Sequence, residues 1–379
     1  MRAAGCQTLV DARQLAMVGI VEVLPGLPRV WRALQLLKGR LRAEPPDLAI
    51  LIDFPDFNLR LAGELRKVGT PVLYFVAPQV WAWRPGRLKT LRHNVDRLLC
   101  IFPFEEEFFL AGGVSAEFMG HPLVGRVVPS FLEDEFRVHF GLPGTTRLIA
   151  LLPGSRRREI LLNLPPLLET ARILATDNEY CFLVPAASTV GANWIREQVR
   201  NSGLSLHVIE GHTYDVLAHS RAAAVASGTA TIETALLGTP MVVVYRVSRA
   251  TWWLGRDLVS TPFYSMVNIV AGHRIVPEFI QDEFRPQAVA RDLRLLLESE
   301  LLRDRMRQQF RDLARKLRAA SVEPASRSGK EAGGELDAES KSEDPIQRAA
   351  AIAESFLVGK TGSNIRQSNI RQWTPRFSR

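Results

Sequence analysis

The 379 residues are too many for one compact core and suit two domains of ordinary size. With 46% hydrophobic and 23% charged residues the composition is globular, and no run approaches the roughly 18 to 20 apolar residues of a membrane-spanning helix. A formal charge of +8 favours an anionic partner (phosphate, nucleic acid or an acidic lipid surface), while Cys6, Cys100 and Cys181, scattered and odd in number, argue against a disulfide framework or zinc knuckle. Those cysteines suit a reducing cytoplasm, and the N-terminus lacks the apolar segment of a secretory signal.

Along the chain, the first strong pattern is helical. Leu27, Val30, Trp31, Leu34, Leu37 and Leu41 fall on one stripe, and the charges around them, Arg29, Arg32, Lys38, Arg40 and Arg42, are all basic. Such a helix either crosses over and covers a sheet or touches anionic lipid along its edge. Trp252 and Trp253 suit a second interfacial contact or a core. Short apolar runs at 48–52, 72–76 and 98–102 alternate with helical patterns, and a second series follows at 148–152, 181–184, 206–209, 222–226 and 241–245. This alternation predicts an α/β protein of two doubly wound, Rossmann-like domains facing a cleft, residues 1–145 and 146–320. Turn residues at 140–146 mark the expected hinge. Residues 321–345 are rich in Ser, Gly and acids and read as a disordered linker. A helix is expected at 346–360, then an unstructured tail at 361–379 in which 363–367 is copied at 368–372.

Four segments carry candidate chemistry. In Ser227-Gly-Thr-Ala-Thr-Ile-Glu a strand ends, small residues turn the chain and a helix begins near Thr229. Unpaired N–H groups at such a start, with the hydroxyls of Ser227 and Thr229, suit a phosphate, and Glu233 one turn on suits the hydroxyls of a ribose; an ordinary capped helix fits the pattern equally. Leu152-Pro-Gly-Ser-Arg puts Gly154 and Ser155 in a strand-to-helix turn and Arg156 within reach of a diphosphate, although three successive arginines also fit a solvated patch. Asp53 stands at a strand's carboxyl end, where a carboxylate serves as general base, whereas Asp56 and Asn58 are expected to cap the helix beginning near Phe57. His121, after another short strand, would accept a proton or hold a substrate, though a lone His is more often structural. No His or Cys pair has metal-ligand spacing, so no metal is expected.

In order, Ile52-Asp-Phe-Pro-Asp-Phe-Asn, Val76-Ala-Pro-Gln-Val-Trp-Ala-Trp-Arg, Met119-Gly-His-Pro-Leu, Leu152-Pro-Gly-Ser-Arg, Ala226-Ser-Gly-Thr-Ala-Thr-Ile-Glu and Asn268-Ile-Val-Ala-Gly resemble the lipid-A-disaccharide synthase family from residue 1 to about 318 and again after 345. The resemblance implies a GT-B glycosyltransferase of Gram-negative lipid A biosynthesis. It would join UDP-2,3-diacylglucosamine to 2,3-diacylglucosamine 1-phosphate through a β-1,6 bond and release UDP, needing no cofactor. Carried over, Asp53 matches the family's essential acid, Arg156 its cleft arginine and Glu233 its nucleotide-binding glutamate. Ser155, Ser227, Gly228, Thr229, Arg246 and Asn268 fall in segments lining the donor site, and His121 stands as an alternative base.

The implied partners are the two acylated sugars and the anionic inner face of the cytoplasmic membrane, with a homodimer possible and no nucleic acid. Against the family pattern, the first strand and a Gly-Glu-Ala-Ser-Gly-Asp-like loop are missing ahead of Met1, so the first domain is expected to lack its central strand. Two rivals remain at this level: another UDP-sugar enzyme, such as a cell-wall glycan-lipid transferase or an epimerase of the same fold, and a UDP-binding homologue without turnover.

Overall fold

The computed structural model describes residues 5–10, 23–82, 86–144, 146–175, 179–187, 189–255, 261–319 and 344–358. Arg84, most of the expected linker and the duplicated tail lie outside these residues. The first unit runs α1 (Val23–Ala43), β1 (Ala49–Ile52), α2 (Pro55–Lys67), β2 (Val72–Phe75), α3 (Arg87–Asn94), β3 (Arg97–Cys100), α4 (Pro103–Ala111) and β4 (Ala116–Phe118), and α5 (Glu133–His139) follows it. The second begins β5 (Arg147–Leu152), α6 (Arg157–Leu174), β6 (Tyr180–Ala186), α7 (Ala192–Val199), β7 (Leu206–Glu210), α8 (Thr213–Ala218), β8 (Ala222–Ala226) and α9 (Thr229–Leu236). It continues through β9 (Met241–Tyr245), α10 (Arg249–Gly255), α11 (Met266–Ala271), β10 (Glu278–Ile280), α12 (Pro286–Glu298) and α13 (Glu300–Lys316), and α14 (Pro345–Val358) ends the described chain.

Both sheets are parallel, as apolar runs separated by helices require. Among the described residues the first has four strands in the order β1-β2-β3-β4 and the second six in the order β10-β9-β8-β5-β6-β7. In the second sheet the winding reverses between β5 and β8, and a crevice opens outside the carboxyl ends of strands at such a reversal. Its strands β5 and β8 are buried almost throughout, because helices cover both faces.

The first core is built from Leu59, Ala62, Leu65, Val72, Tyr74, Leu91, Leu98 and Phe109. On the other face of that sheet, Leu73, Leu99 and Met119 pack against Ala349, Ile352, Ala353 and Phe356 of α14, so the chain's last described helix returns to its first sheet. The Arg348–Glu117 pair, 2.8 Å apart, pins it there.

Two expectations shift. Phe136 and Leu142 belong to the second core, and the N–H groups of Ser130 and Phe131 donate to Asp215 Oδ1 at 2.6 and 2.8 Å. The chain therefore joins the second unit ahead of 140–146, because a buried carboxylate and an aromatic anchor it before the turn residues arrive. Helix α1 packs its Ala33 and Leu34 on Phe57 of α2 rather than lying flat on the sheet, and Trp31, placed on the apolar stripe, is 61% exposed.

Candidate active site

At the reversal point two strand-to-helix turns face each other. The turn after β5 needs Gly154, whose φ of 129° is unfavourable for a side chain and where a Cβ would stand 2.8 Å from Glu159 Cβ. The turn after β8 needs Gly228, with φ 151°, to swing directly from the strand into α9. Between them lies a cavity of about 360 Å³ lined by Gly154, Ser155, Arg156, Glu159, Ser227, Gly228, Thr229 and Glu233. Seven residues singled out from the sequence thus meet in one crevice, although 72 positions separate Ser155 from Ser227 in the numbering.

The turns are held from within. Ser227 Oγ donates to the Tyr264 carbonyl at 2.7 Å, so this hydroxyl fixes the loop, while the start of α9 supplies the N–H groups that attract anions. Arg156 Nη1 donates to Glu159 Oε1 at 2.6 Å, and Thr189 Oγ1 donates to the Ser155 carbonyl at 3.0 Å. Glu233 Oε1 accepts from the Tyr214 hydroxyl at 3.2 Å, and burial raises the Glu233 carboxyl above its ordinary value. Of the neighbouring arginines, Arg157 lies over the Trp194 ring at 5.3 Å.

Two residues from the same segments stand apart from the cavity. The Arg246 guanidinium donates to the carbonyls of Phe284 and Gln281 at 2.7 and 3.4 Å and stacks on Phe284. Asn268 is fully buried; its amide donates to Val276 and Glu278 and its oxygen accepts from Ile275 and Val276. Both brace the segment 275–284 instead of lining the cavity.

In the first unit, Asp53 is exposed at the carboxyl end of β1 in the left-handed region, with φ 46°, followed by Phe54 at 47°. Consecutive non-glycine residues there are costly and mark a backbone held by its surroundings. Tyr74 Oη and Asn58 Nδ2 donate to the Asp53 carbonyl at 2.6 and 2.7 Å and supply that restraint. Helix α2 starts at Pro55 with Phe54 as its N-cap, so neither Asp56 nor Asn58 is the cap: Asp56 pairs with Arg87, and Asn58 reaches back to the strand. Pro55 fits the first helical position and displaced the expected boundary.

His121 is 4% exposed, packs 5.3 Å from the Phe102 ring, and accepts the Leu123 N–H on Nδ1. Burial lowers its pKa to about 4, leaving a neutral ring with its proton on Nε2, a donor rather than a base. Val76, β-branched yet at φ 66°, opens the segment that carries Gln79 to 4.0 Å from Met266 of the second unit. Trp81 in that segment donates to Glu105, a fully buried carboxylate that also accepts the N–H groups of Ile101 and Phe102. Among the described residues no three His, Cys, Asp or Glu side chains gather as a metal site.

A family model described as lipid-A-disaccharide synthetase matches residues 1–329. The chain belongs to that family. A lipid-A-disaccharide synthase of Solibacter usitatus is 43% identical over 86% of this chain and 84% of its own length, and one of Myxococcus xanthus 44% identical over 78% and 77%. Membership makes the chain a glycosyltransferase, specifically a hexosyltransferase.

Solved structures agree on the GT-B fold. A putative UDP-N-acetylglucosamine 2-epimerase from Listeria monocytogenes superposes with a TM-score of 0.52 at 16% identity, covering 74% of this chain and 72% of its own. The UDP-GlcNAc 2-epimerase from Neisseria meningitidis, bound to UDP-GlcNAc, gives 0.52 at 12% identity over 82% and 83%. Within the synthetase family frame, residue-by-residue reading of the sequence missed Glu159, Thr213 and Tyr214. Glu159 was legible as an acid in a first helical turn; Thr213 and Tyr214 gave no signal, since only the sheet order brings α8 beside α9.

Proposed function

We propose that the chain transfers 2,3-diacylglucosamine from UDP-2,3-diacylglucosamine to the 6-hydroxyl of 2,3-diacylglucosamine 1-phosphate, forming a β-1,6 linkage and releasing UDP. The observation that carries this reading is the crevice at the β5–β8 reversal, where two glycine turns, a helix start and Arg156 converge on one cavity. The start of α9 and Arg156 receive the diphosphate, and Glu233 takes the ribose hydroxyls. As the sugar–phosphate bond breaks, charge grows on the leaving diphosphate, so these donors stabilise the transition state more than the ground state. That stabilisation is supplied by protein groups alone, and the reaction is proposed to proceed without a metal.

Asp53 is the proposed general base: it is exposed at a strand's carboxyl end and its backbone is clamped by Tyr74 and Asn58. His121, buried, neutral and already accepting on Nδ1, follows β4 at the opposite edge of that sheet and packs on Phe102. The acylated substrates place the enzyme at the inner face of the cytoplasmic membrane, with α1 as the contact. Trp31 and Leu36 are 61% and 54% exposed among Arg29, Arg32, Arg40 and Arg42. No described helix is long and apolar enough to cross a membrane.

Mass spectrometry of the product from the two acylated sugars tests the reaction: an acylated disaccharide monophosphate with stoichiometric UDP is expected, and epimerised or hydrolysed donor alone would overturn it. Asp53→Asn should lower turnover by about 10² to 10⁴ with UDP affinity retained, as removal of a positioned base does. Near-normal turnover would move the base elsewhere.

A further inference from the structure

Glu159 is the third residue of α6, and its side chain turns back over the helix start. One carboxylate oxygen accepts the Ser155 N–H at 3.1 Å, and the other accepts Arg156 Nη1 at 2.6 Å. The same residue's carbonyl accepts Asn163 Nδ2 at 2.8 Å, and Asn163 Oδ1 accepts the Arg246 N–H at 2.8 Å, which ties the turn after β5 to the segment after β9. Gly154 permits the arrangement, since a Cβ there would stand 2.8 Å from Glu159 Oε2 as well as from its Cβ.

A glutamate that only caps a helix needs only backbone N–H groups. Here half of the carboxylate goes to a guanidinium that lines the cavity, and Glu159 lines it too. A site built solely to attract anions would exclude a carboxylate from this wall. Its presence is accounted for by orientation: Arg156 is 52% exposed and long, and without a partner it would sample many rotamers, whereas Glu159, 20% exposed, is anchored at both ends. Holding Nη1 also leaves the guanidinium's planar fork in one plane relative to the Ser155 turn.

We propose that Glu159 is a positioning residue for the donor's diphosphate, aiming Arg156 and the Ser155 turn at the cavity between β5 and β8. This rests on the reading of that cavity as the diphosphate site. Glu159→Gln keeps the size of the side chain but has one acceptor where the carboxylate has two, so it cannot hold Ser155 and Arg156 together.

The test is a double-mutant cycle on the full chain: Glu159→Gln, Arg156→Ala and both together, with UDP affinity by calorimetry, kcat and KM for the UDP-sugar, and Tm as a check of folding. Glu159→Gln alone is expected to weaken UDP binding and lower kcat/KM by about tenfold, as loss of a charged hydrogen bond does. In the Arg156→Ala background the same change should shift both by less than about twofold. Glu159→Asp, whose shorter carboxylate cannot span both partners, should resemble Glu159→Gln. Tighter UDP binding by Glu159→Gln would show a competing anion and overturn the proposal, as would an equal loss in both backgrounds, the mark of a plain helix cap. If Arg156→Ala weakens UDP binding and Glu159→Gln does not, the proposal alone fails; if Arg156→Ala leaves UDP affinity unchanged, the diphosphate reading itself falls and takes the proposal with it.

Discussion

Glu233 and His121 show how burial decides what a titratable side chain does. Glu233 keeps one hydrogen bond, from Tyr214, while lying in the cavity wall, which leaves its carboxylate the capacity to accept a ribose hydroxyl. Glu233→Ala is expected to weaken UDP binding by about 1.5 to 3 kcal/mol, the range for a hydrogen bond to a charged group; calorimetry on a variant with unchanged Tm measures it. His121 binds its proton more weakly when folded, about 4 against an ordinary 6.5. Stability from the neutral ring is therefore intact above pH 6.5 and is lost as pH falls from there through about 4. At about 1.36 kcal/mol per pKa unit the loss approaches about 3 kcal/mol. His121→Asn, which keeps an acceptor for the Leu123 N–H, should flatten that part of a Tm-against-pH curve; an unchanged acid limb would assign the sensitivity to other groups.

Helix α1 illustrates an element whose two faces answer to different neighbours. Its inner face, Ala33 and Leu34 with Val30 and Leu37, meets Phe57 and Leu61 of α2. Its outer face carries Trp31 and Leu36 with Arg29, Arg32 and Arg42, while Lys38 and Arg40 are engaged by Glu64 at 3.2 Å and Glu44 at 3.6 Å and so add little attraction. Charge reversal of Arg29 and Arg32, both exposed, should therefore reduce flotation with anionic vesicles more than reversal of Lys38, and wild-type binding should fall as salt rises. Vesicle binding indifferent to both salt and reversal would leave α1 as a cover for α2. The periodicity of 27–42 was legible as a helix, but which apolar residues point inward was not. Trp31 and Leu34 are one turn apart, yet only Leu34 is buried, because the inward face is set by where α2 lies.

At the scale of the molecule, α14 closes the chain back on its beginning. Leu73, Leu99 and Met119 are almost wholly buried beneath it, and each would cost about 1.5 to 3 kcal/mol if uncovered. Ala353→Glu, placing a charge in that seam, should lower Tm by several degrees while the β5–β8 cradle, on the other sheet, keeps its UDP affinity; an unchanged Tm would show that α14 contributes no stability. What the sequence by itself determined is the local part of this protein. Apolar runs with period-matched helices specify parallel strands, most plainly β5, β6 and β8, which are buried on both faces, and Gly154 and Gly228 announce turns because only glycine tolerates those backbone angles. The ordered motifs likewise led to the family that the comparison establishes. Tertiary structure alone decided which of those turns meet: the strand order puts β5 beside β8, so Arg156 shares a cavity with Glu233, while Asn268 and Arg246, from neighbouring segments, are drawn into the supports. It also decided that Asp53 stands exposed in a clamped backbone and that His121 lies under Phe102. Burial and hydrogen-bond partners are properties of neighbours distant in the chain, and no local pattern of residues encodes them.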